Sequence, residues 1–431
     1  MELSKYNIDF NFEDRYVIYN LSSKKFIMCN LEKKHNIFNL LNILNKLDTC
    51  NLKKEEKIML RKMAKQGIIV DNTKDEIEKI KFLFNKTKYQ EGTFILVISP
   101  TIKCNFGCPY CFETRRDETW DENLRYNLIK FVENITPKVK TLQVSWFGGE
   151  PTLEYDNIRI VTEKFKSICE KNKCNYISTI TTNGYMLNDE RINELESLGI
   201  NKIQITIDGD EKYHNEKRPL NNGGKTFQKI FENILKISEK NMMVILRINL
   251  DDKNKDSIVP LLERFPEKSR KNIMINICNI FQNKNMVRTY ELYKKAIELG
   301  FICAPFRTDY SICEGSFVNS ITVNPNGKIS PCQMCIEEGL NFGKLTNKGS
   351  FLIKDPAVFY KFRNSSPFNN DKCVECKYLP MCLGGCSYQR YKKSSVCDGE
   401  KILKQISIEE IAKLAVYNQI KNGTMSEYNT I

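Results

Sequence analysis

Residues 104–111 read CNFGCPYC and place Cys104, Cys108 and Cys111 in one short segment after the apolar run FILVISP. A structural zinc site takes four ligands, often as two C-x2-C pairs. A cubane iron–sulfur cluster asks for one external ligand on each of its irons. Three local thiolates leave one iron without a protein ligand. Seventeen cysteines occur in 431 residues, so redox compartment is the next decision. The start, MELSKYNIDFNFEDRY, has no basic segment leading into an apolar one, and no run is long enough to span a membrane. Structural disulfides are therefore disfavoured and tightly spaced cysteines read as metal ligands. We expect a cytoplasmic protein without a membrane partner, working in a reduced cell.

Lys and Arg number 66 against 53 Asp and Glu, a net charge of +13. Such a balance permits nucleic acid or an acidic peptide as partner. The basic residues are spread along the chain with no long block, so no nucleic-acid partner is expected.

The organisation follows from hydrophobic period. Residues 15–30 alternate around a polar turn, as a hairpin does. Residues 31–47 place Ile37, Leu40, Leu41, Leu44 and Leu47 on one helical stripe. A second helix at 53–66 stops at Gly67, IIVD follows as a short strand, and 74–88 reads as a charged linking helix. From residue 93 strands alternate with helices. FILVISP, TLQVSWFGGE, YISTITTNG, NKIQITIDG, MMVILRINL and NIMINICNI are six strands, with helices at 189–199, 226–240 and 288–299. That alternation predicts an α/β fold of parallel βα units, open or closed as a partial barrel. The triplet, the GGE and the TNG each follow a strand end, where such barrels place their active sites. After residue 300 the alternation stops and cysteines return, which predicts a region held by metal more than by apolar packing. A last helix spans 400–421.

The C-x3-C-x2-C pattern resembles the signature of radical S-adenosylmethionine (radical SAM) enzymes. In that family the open iron is chelated by the amino and carboxylate groups of S-adenosylmethionine. Its reductive cleavage yields a 5′-deoxyadenosyl radical that takes a hydrogen atom from substrate. The resemblance extends to GGEP at 148–151, the family's motif facing the methionine amino group. There Gly148 and Gly149 bring carbonyls close and Glu150 is the negative partner. It further implies that Tyr110 lies along the adenine. Thr182, Asn183, Thr206 and Asp208 become ribose- and carboxylate-facing positions, and Arg218 a carboxylate partner. RIN at 247–249 fits the fifth strand. Read alone, the triplet also suits part of a zinc site and GGEP an ordinary turn.

The later cysteines follow a second pattern. Cys313, thirteen residues, Gly327, four residues and Cys332 precede Cys373-x2-Cys376-x5-Cys382-x3-Cys386-x10-Cys397. This resembles the SPASM extension of radical SAM enzymes, which implies two auxiliary [4Fe–4S] clusters beside the first. By position, Cys373, Cys376, Cys382 and Cys397 would hold the outer one, and Cys313, Cys332 and Cys386 the inner one. Sulfatase-maturing members carry a cysteine where this chain has Asn319 and an Asp where it has Gln333. The fourth inner ligand is then Cys335, Cys303 or an open position for a substrate thiolate. Two zinc ions in a ribbon-type module are the bland alternative. Cys29, Cys50, Cys169, Cys174 and Cys278 read as small hydrophobes or inert thiols, and His35 and His214 have no partner pattern.

The resemblance implies a four-part chain. Residues 1–85 form a winged-helix-like element that recognises a leader peptide by strand addition. Residues 86–300 form a partial (β/α)6 barrel, 301–400 the SPASM domain, and 401–431 a helix and tail. The implied activity is maturation of a precursor peptide with a leader and a Cys-containing core. The closest likeness is to thioether-forming SCIFF and ranthipeptide maturases, with flavodoxin or ferredoxin as electron donor. The competing readings are a C–C cross-link, oxidation of a Cys or Ser side chain as in sulfatase maturases, and a non-catalytic iron–sulfur carrier or redox sensor.

Overall fold

A computed structural model describes residues 2–35, 37, 39, 52–114, 116–280, 282–283, 285–303, 312–337, 339–392, 397, 399–426 and 430. Most of the stripe expected at 31–47, and Cys50, lie outside these residues. The front of the chain forms β1 (Glu2–Leu3), β2 (Asn7–Phe12), β3 (Arg15–Asn20), β4 (Lys25–Asn30), a helix at Lys54–Lys65 and β5 (Ile69–Val70). β3 and β4 are the expected hairpin, and β2 adds a third antiparallel strand that sequence reading missed. β1 pairs with β5. Alternation splits the sheet between two cores, because successive side chains point to opposite faces. Tyr16, Ile18, Ile27 and Cys29 pack on Leu60 and Met63 of the helix. Val17, Tyr19, Phe26 and Met28 join the main core instead.

The segment expected as a charged linker forms a helix at Thr73–Lys88, capped by the Asn72 side chain. It is more than a linker. Glu76, Ile80, Phe84 and Lys88 recur every four residues and are buried on one face. Phe84 packs edge-on against Phe368, 5.6 Å between centroids.

The six expected strands are β6 (Thr93–Ile98), β7 (Thr141–Trp146), β8 (Asn175–Thr182), β9 (Ile200–Thr206), β10 (Met243–Leu250) and β11 (Ile273–Asn279). They pair in parallel in consecutive order, with helices at Glu122–Ile135, Tyr155–Lys171, Asp189–Ser197 and Phe227–Ser238 among the crossovers. The sheet stays open. β12 (Ile302–Cys303) extends it beyond β11, and β13 (Ser320–Val323) pairs in parallel with β6. β14 (Lys328–Ser330), β15 (Gly343–Leu345) and β16 (Phe351–Ile353) continue beyond β13 antiparallel.

One face of each strand meets the helices: Leu142 and Val144, Ile203 and Ile205, Leu246 and Ile248 are in the main core. The other face carries Gln143, Ser145, Arg247, Asn249 and Asn276, making a polar lumen. Metal was expected to hold the region after residue 300 together, yet Ile321, Val323, Ile329, Phe342 and Leu345 share the common core. Short β-strands with alternating apolar residues supply that face, a signal masked by the cysteines. The expected helix at 400–421 is two helices, Gly399–Gln405 and Ile408–Lys421. Ser407 and Glu410 form a capping box that starts the second.

Candidate active site and cysteine-lined cavities

The loop carrying Cys104, Cys108 and Cys111 leaves the C-terminal end of β6 and is clamped from two sides. Residues 218–224 hold one side. Phe106 bridges Leu220, Gly107 N donates to Pro219 O at 2.7 Å, and Asn221 Nδ2 donates to Cys104 O at 2.8 Å. The turn after β7 holds the other, with Gly149 N on Thr101 O at 3.0 Å and Glu150 N on Lys103 O at 2.8 Å. A Cβ at Gly149 would stand 2.3 Å from the carbonyls of Ile102 and Lys103. Gly148, at φ +126°, would meet Thr101 O at 2.4 Å. Only residues without a side chain allow this approach.

Glu150 is wholly buried, and its carboxylate is occupied within the protein. Oε1 accepts from Thr182 Oγ1 at 2.6 Å, Thr152 N at 3.0 Å and the Thr152 hydroxyl; Oε2 accepts from Asn183 N at 2.6 Å. Burial pushes its pKa up, and these donors oppose the rise. Glu150 and Thr182 thus tie the end of β8 to the turn after β7. Asn183 Nδ2 continues to Asn105 Oδ1 at 2.7 Å. Glu150 was expected as the negative partner of the methionine amino group; both its oxygens accept from these donors.

Beyond β9, Asp208 is also fully buried. It accepts from Asn249 N at 2.8 Å and from the Tyr110 hydroxyl. Arg218 donates to that hydroxyl at 2.7 Å and stands 3.9 Å from Asp208 Oδ2. Burial raises the Asp208 pKa, and the guanidinium opposes it. His214, given no role from sequence, accepts from Asp208 N on Nδ1 at 3.3 Å and meets Thr226 Oγ1 at 3.1 Å. Burial holds its pKa well below 6.5, so the ring is neutral. Thr206 closes β9 in register with Arg247.

Two donors beside the triplet have no partner: Arg218 Nε and Asn105 Nδ2, both buried. Unpaired buried donors of this kind fit a ligand bearing a carboxylate. Burial pushes Cys104 up to about 12 and Cys111 above the usual thiol range. Thiols so placed are inert unless a metal takes the thiolate.

The later cysteines fall into two sets. Cys373, Cys376, Cys382 and Cys397 line one cavity of about 70 Å³. Cys313, Cys332 and Cys386 line another of about 400 Å³, shared with Val97, Glu314 and Thr322. Among the described residues no group of three candidate ligands is drawn together closely enough for a single ion. Of the two other inner candidates, Cys335 has its Sγ 3.5 Å from that of Cys332, whereas Cys303 lies on β12 beside Tyr293, across the sheet from β13. Asn319 donates to Gln90 O, outside the set.

Three cations that carried no sequence signal surround these sets. Lys88 donates to Ser365 O at 3.0 Å; Arg363 to the carbonyls of Gly315, Phe317 and Ser320; Arg390 to Gly384 O, Gly385 O and Ser387 Oγ. All of these acceptors are neutral. Burial pulls Lys88 down to about 8 and Arg363 to about 10. Arg363 feels the charges of Cys332 and Cys335, and Arg390 those of Cys386, Cys313, Cys382 and Cys373. Glu314 was also missed. Its Oε1 accepts from Gln143 Nε2 at 3.2 Å and Ser145 Oγ at 3.4 Å, both on the lumen face of β7, and burial raises its pKa. Only its place next to Cys313 marked it in sequence.

Residues 98–265 match the Radical SAM superfamily. The chain carries a Radical SAM domain, which implies a [4Fe–4S] cluster and S-adenosylmethionine. Within that class it is 21% identical over 412 residues to the Radical SAM cyclopropyl synthase TigE of Paramaledivibacter caminithermalis, covering 84% of each chain. Its fold is similar to native anSMEcpe with bound AdoMet and the Cp18Cys peptide, at TM-score 0.58 and 18% identity over 77% of this chain and 99% of that one. It is also similar to Streptococcus suis SuiB bound to precursor peptide SuiA, at TM-score 0.52 and 17% identity over 92% and 99%. Among the described residues no helix is long and apolar enough to cross a membrane.

Proposed function

We propose that this protein modifies a ribosomally made precursor peptide, joining a cysteine sulfur of the core to a carbon as a thioether. The observation that carries the reading is the inner cavity. Its lining joins Cys313, Cys332 and Cys386 to Val97 and Thr322, which face the lumen of the sheet whose strand ends hold the triplet. A peptide in the lumen reaches both. TigE is named for acting as a cyclopropyl synthase, and the two solved neighbours are titled with bound peptides.

When bound, the cluster and S-adenosylmethionine supply the hydrogen-abstracting radical. The protein's part is placement. Cys104, Cys108 and Cys111 would hold the cluster. The Gly148–Gly149 cradle would admit the methionine amino group, and Arg218 Nε would meet the carboxylate. Tyr110, Asp208 and Asn249 fix that wall, while Thr206 and Asn183 stand at the neighbouring strand ends. Cys373, Cys376, Cys382 and Cys397 would hold an outer auxiliary cluster, and the Cys313 set an inner one.

The buried cations support this reading. An unpaired buried charge is costly, and an anionic cluster beside Lys88, Arg363 and Arg390 offsets that cost. In the front module, β2–β4 and the Lys54–Lys65 helix suit a winged-helix-like leader-binding element of residues 1–85, ahead of the barrel, SPASM domain and tail. An electron donor such as flavodoxin or ferredoxin would supply the electron that cleavage of S-adenosylmethionine consumes.

The experiment is mass spectrometry of a cysteine-containing precursor encoded near this gene, incubated anaerobically with loaded enzyme, S-adenosylmethionine and reductant. Loss of two hydrogens with a thiol no longer alkylatable is the expected result. Loss of two hydrogens with every thiol free favours the second reading, a carbon–carbon bond, which the TigE likeness brings forward.

A further inference from the structure

We propose that Arg247 is a substrate-recognition residue whose guanidinium, standing in the lumen, takes a carboxylate of the core peptide and holds it at the level of the triplet. The proposal rests on the reading of the lumen as the peptide's seat and adds the chemical class of residue that the seat selects.

Placement is the first argument. β10 alternates half-buried and buried residues, and Arg247 shares the half-buried lumen face with Asn249. It stands in register with Thr206 on β9 and Asn276 on β11, both neutral, so the neighbouring strands bring it no counterion. Thr206 is the last residue of β9, which puts Arg247 at the strand ends that carry the site. Its Nε donates to Asn249 Oδ1 at 3.1 Å, and Asn249 Nδ2 donates to the Tyr110 hydroxyl at 3.3 Å. One edge of the guanidinium is thereby fixed against the wall that Tyr110 shares with the triplet. Its remaining nitrogens have no hydrogen-bond or ion-pair partner among the described residues.

Charge is the second argument. A guanidinium stays charged and presents its donors in a planar fork that matches a carboxylate. Asp208 feels the charge of Arg247, but it stands 3.9 Å from Arg218 and accepts from Asn249 N and the Tyr110 hydroxyl. Glu314 accepts from Gln143 and Ser145 on β7. That strand lies three places from β10 in the sheet, about 14 Å away. The lumen is therefore polar from end to end, with a cation beside the triplet and a carboxylate beside the inner cysteines. A peptide that sets its acidic group on Arg247 and its cysteine towards Cys313 lies in one direction only.

The test is saturation-transfer NMR on the full chain, loaded anaerobically, with S-adenosylmethionine bound and no reductant. The probes are N-acetyl-Gly-Asp-Gly-amide, its Asn counterpart, and N-acetyl-Gly-Asn-Gly with a free carboxyl terminus. The expected result is binding of a probe that carries a carboxylate and none of the Asn amide. The Asp amide reports a side-chain carboxylate, and the free-terminus probe reports a chain end. Arg247→Met should weaken that binding about tenfold or more. Arg247→Lys keeps the charge without the fork and should fall between; it carries the test if the Met protein does not fold. Arg247→Glu should turn the preference to N-acetyl-Gly-Lys-Gly-amide.

Equal binding of the Asp and Asn amides overturns the proposal, as does no binding of any probe. Affinity for S-adenosylmethionine is measured on the same samples. A variant that loses it as steeply as it loses the probe also overturns the proposal, because Arg247 then serves the cofactor. Precursor maturation is scored separately by mass, so a wrong bond type leaves probe binding unmoved.

Discussion

Thr182 Oγ1 donates to Glu150 Oε1 at 2.6 Å and so joins the end of β8 to the glycine turn after β7. Glu150 is therefore a brace for the cradle. Replacing it with Gln keeps the shape but turns an acceptor into a donor facing buried N–H and O–H groups. The expected cost is about 1–3 kcal/mol of stability. Thr182→Ala should reproduce part of that loss, since it removes one of the donors. Chemical denaturation measures both. A Glu150→Gln protein of full stability that merely fails to bind S-adenosylmethionine would restore the ligand-facing role.

At Gly149 the constraint is steric. Alanine there drives a Cβ into the carbonyls of Ile102 and Lys103, both within 2.3 Å, and backbone cannot swing aside as a side chain does. Gly149→Ala is expected to cost about 2–3 kcal/mol and to lower iron bound by the triplet. Iron and sulfide analysis after anaerobic loading, set beside a melting curve, checks both parts. Gly92, whose Cβ would meet only Lys140 Cδ at 3.9 Å, is the control.

Lys88 makes the cluster reading testable through pH. Burial lowers its pKa from 10.5 to about 8, with Arg390 and Arg363 adding to the effect. Between those values the unfolded chain binds more protons than the folded one, so stability rises with pH across that window. Below about pH 8 the destabilisation is fully present. Cluster-free protein should become more stable between pH 8 and 10 in urea titrations, and Lys88→Met should flatten the slope. Loaded protein should show a shallower slope, because an anionic neighbour restores the ammonium.

The C-terminal tail reaches the front sheet. Thr430 forms a parallel bridge with Met28 of β4, and its carbonyl accepts from Lys62 Nζ at 2.8 Å. Gln66 Nε2 donates to Ser426 Oγ at 3.2 Å. A leader peptide adding to that edge competes with the tail. Deleting residues 424–431 should tighten precursor binding several-fold in fluorescence polarisation. Unchanged affinity moves leader docking to another edge.

The barrel strands were legible because each is a short apolar run ending in glycine or a polar turn. Observed β7, for example, coincides with TLQVSW. The grouping of Cys373, Cys376, Cys382 and Cys397 was legible because their spacing is local, and the fold brings the four around one cavity. Strand β2 was missed because NIDFNF carries little apolar weight of its own; it is held by pairing with β3.

Sequence by itself determined the cysteine spacing, the βα alternation and the order of the strand-end motifs, all properties of neighbours along the chain. Tertiary structure alone decided that the Glu150 carboxylate is held by Thr152, Thr182 and Asn183, that His214 accepts from Asp208 N, and that Cys335 stands against Cys332 while Cys303 lies on β12. It alone gathered Lys88, Arg363 and Arg390, distant in sequence, around the cysteines. The physical reason is that burial and charge compensation depend on which segments the sheet brings side by side, and no local pattern records that.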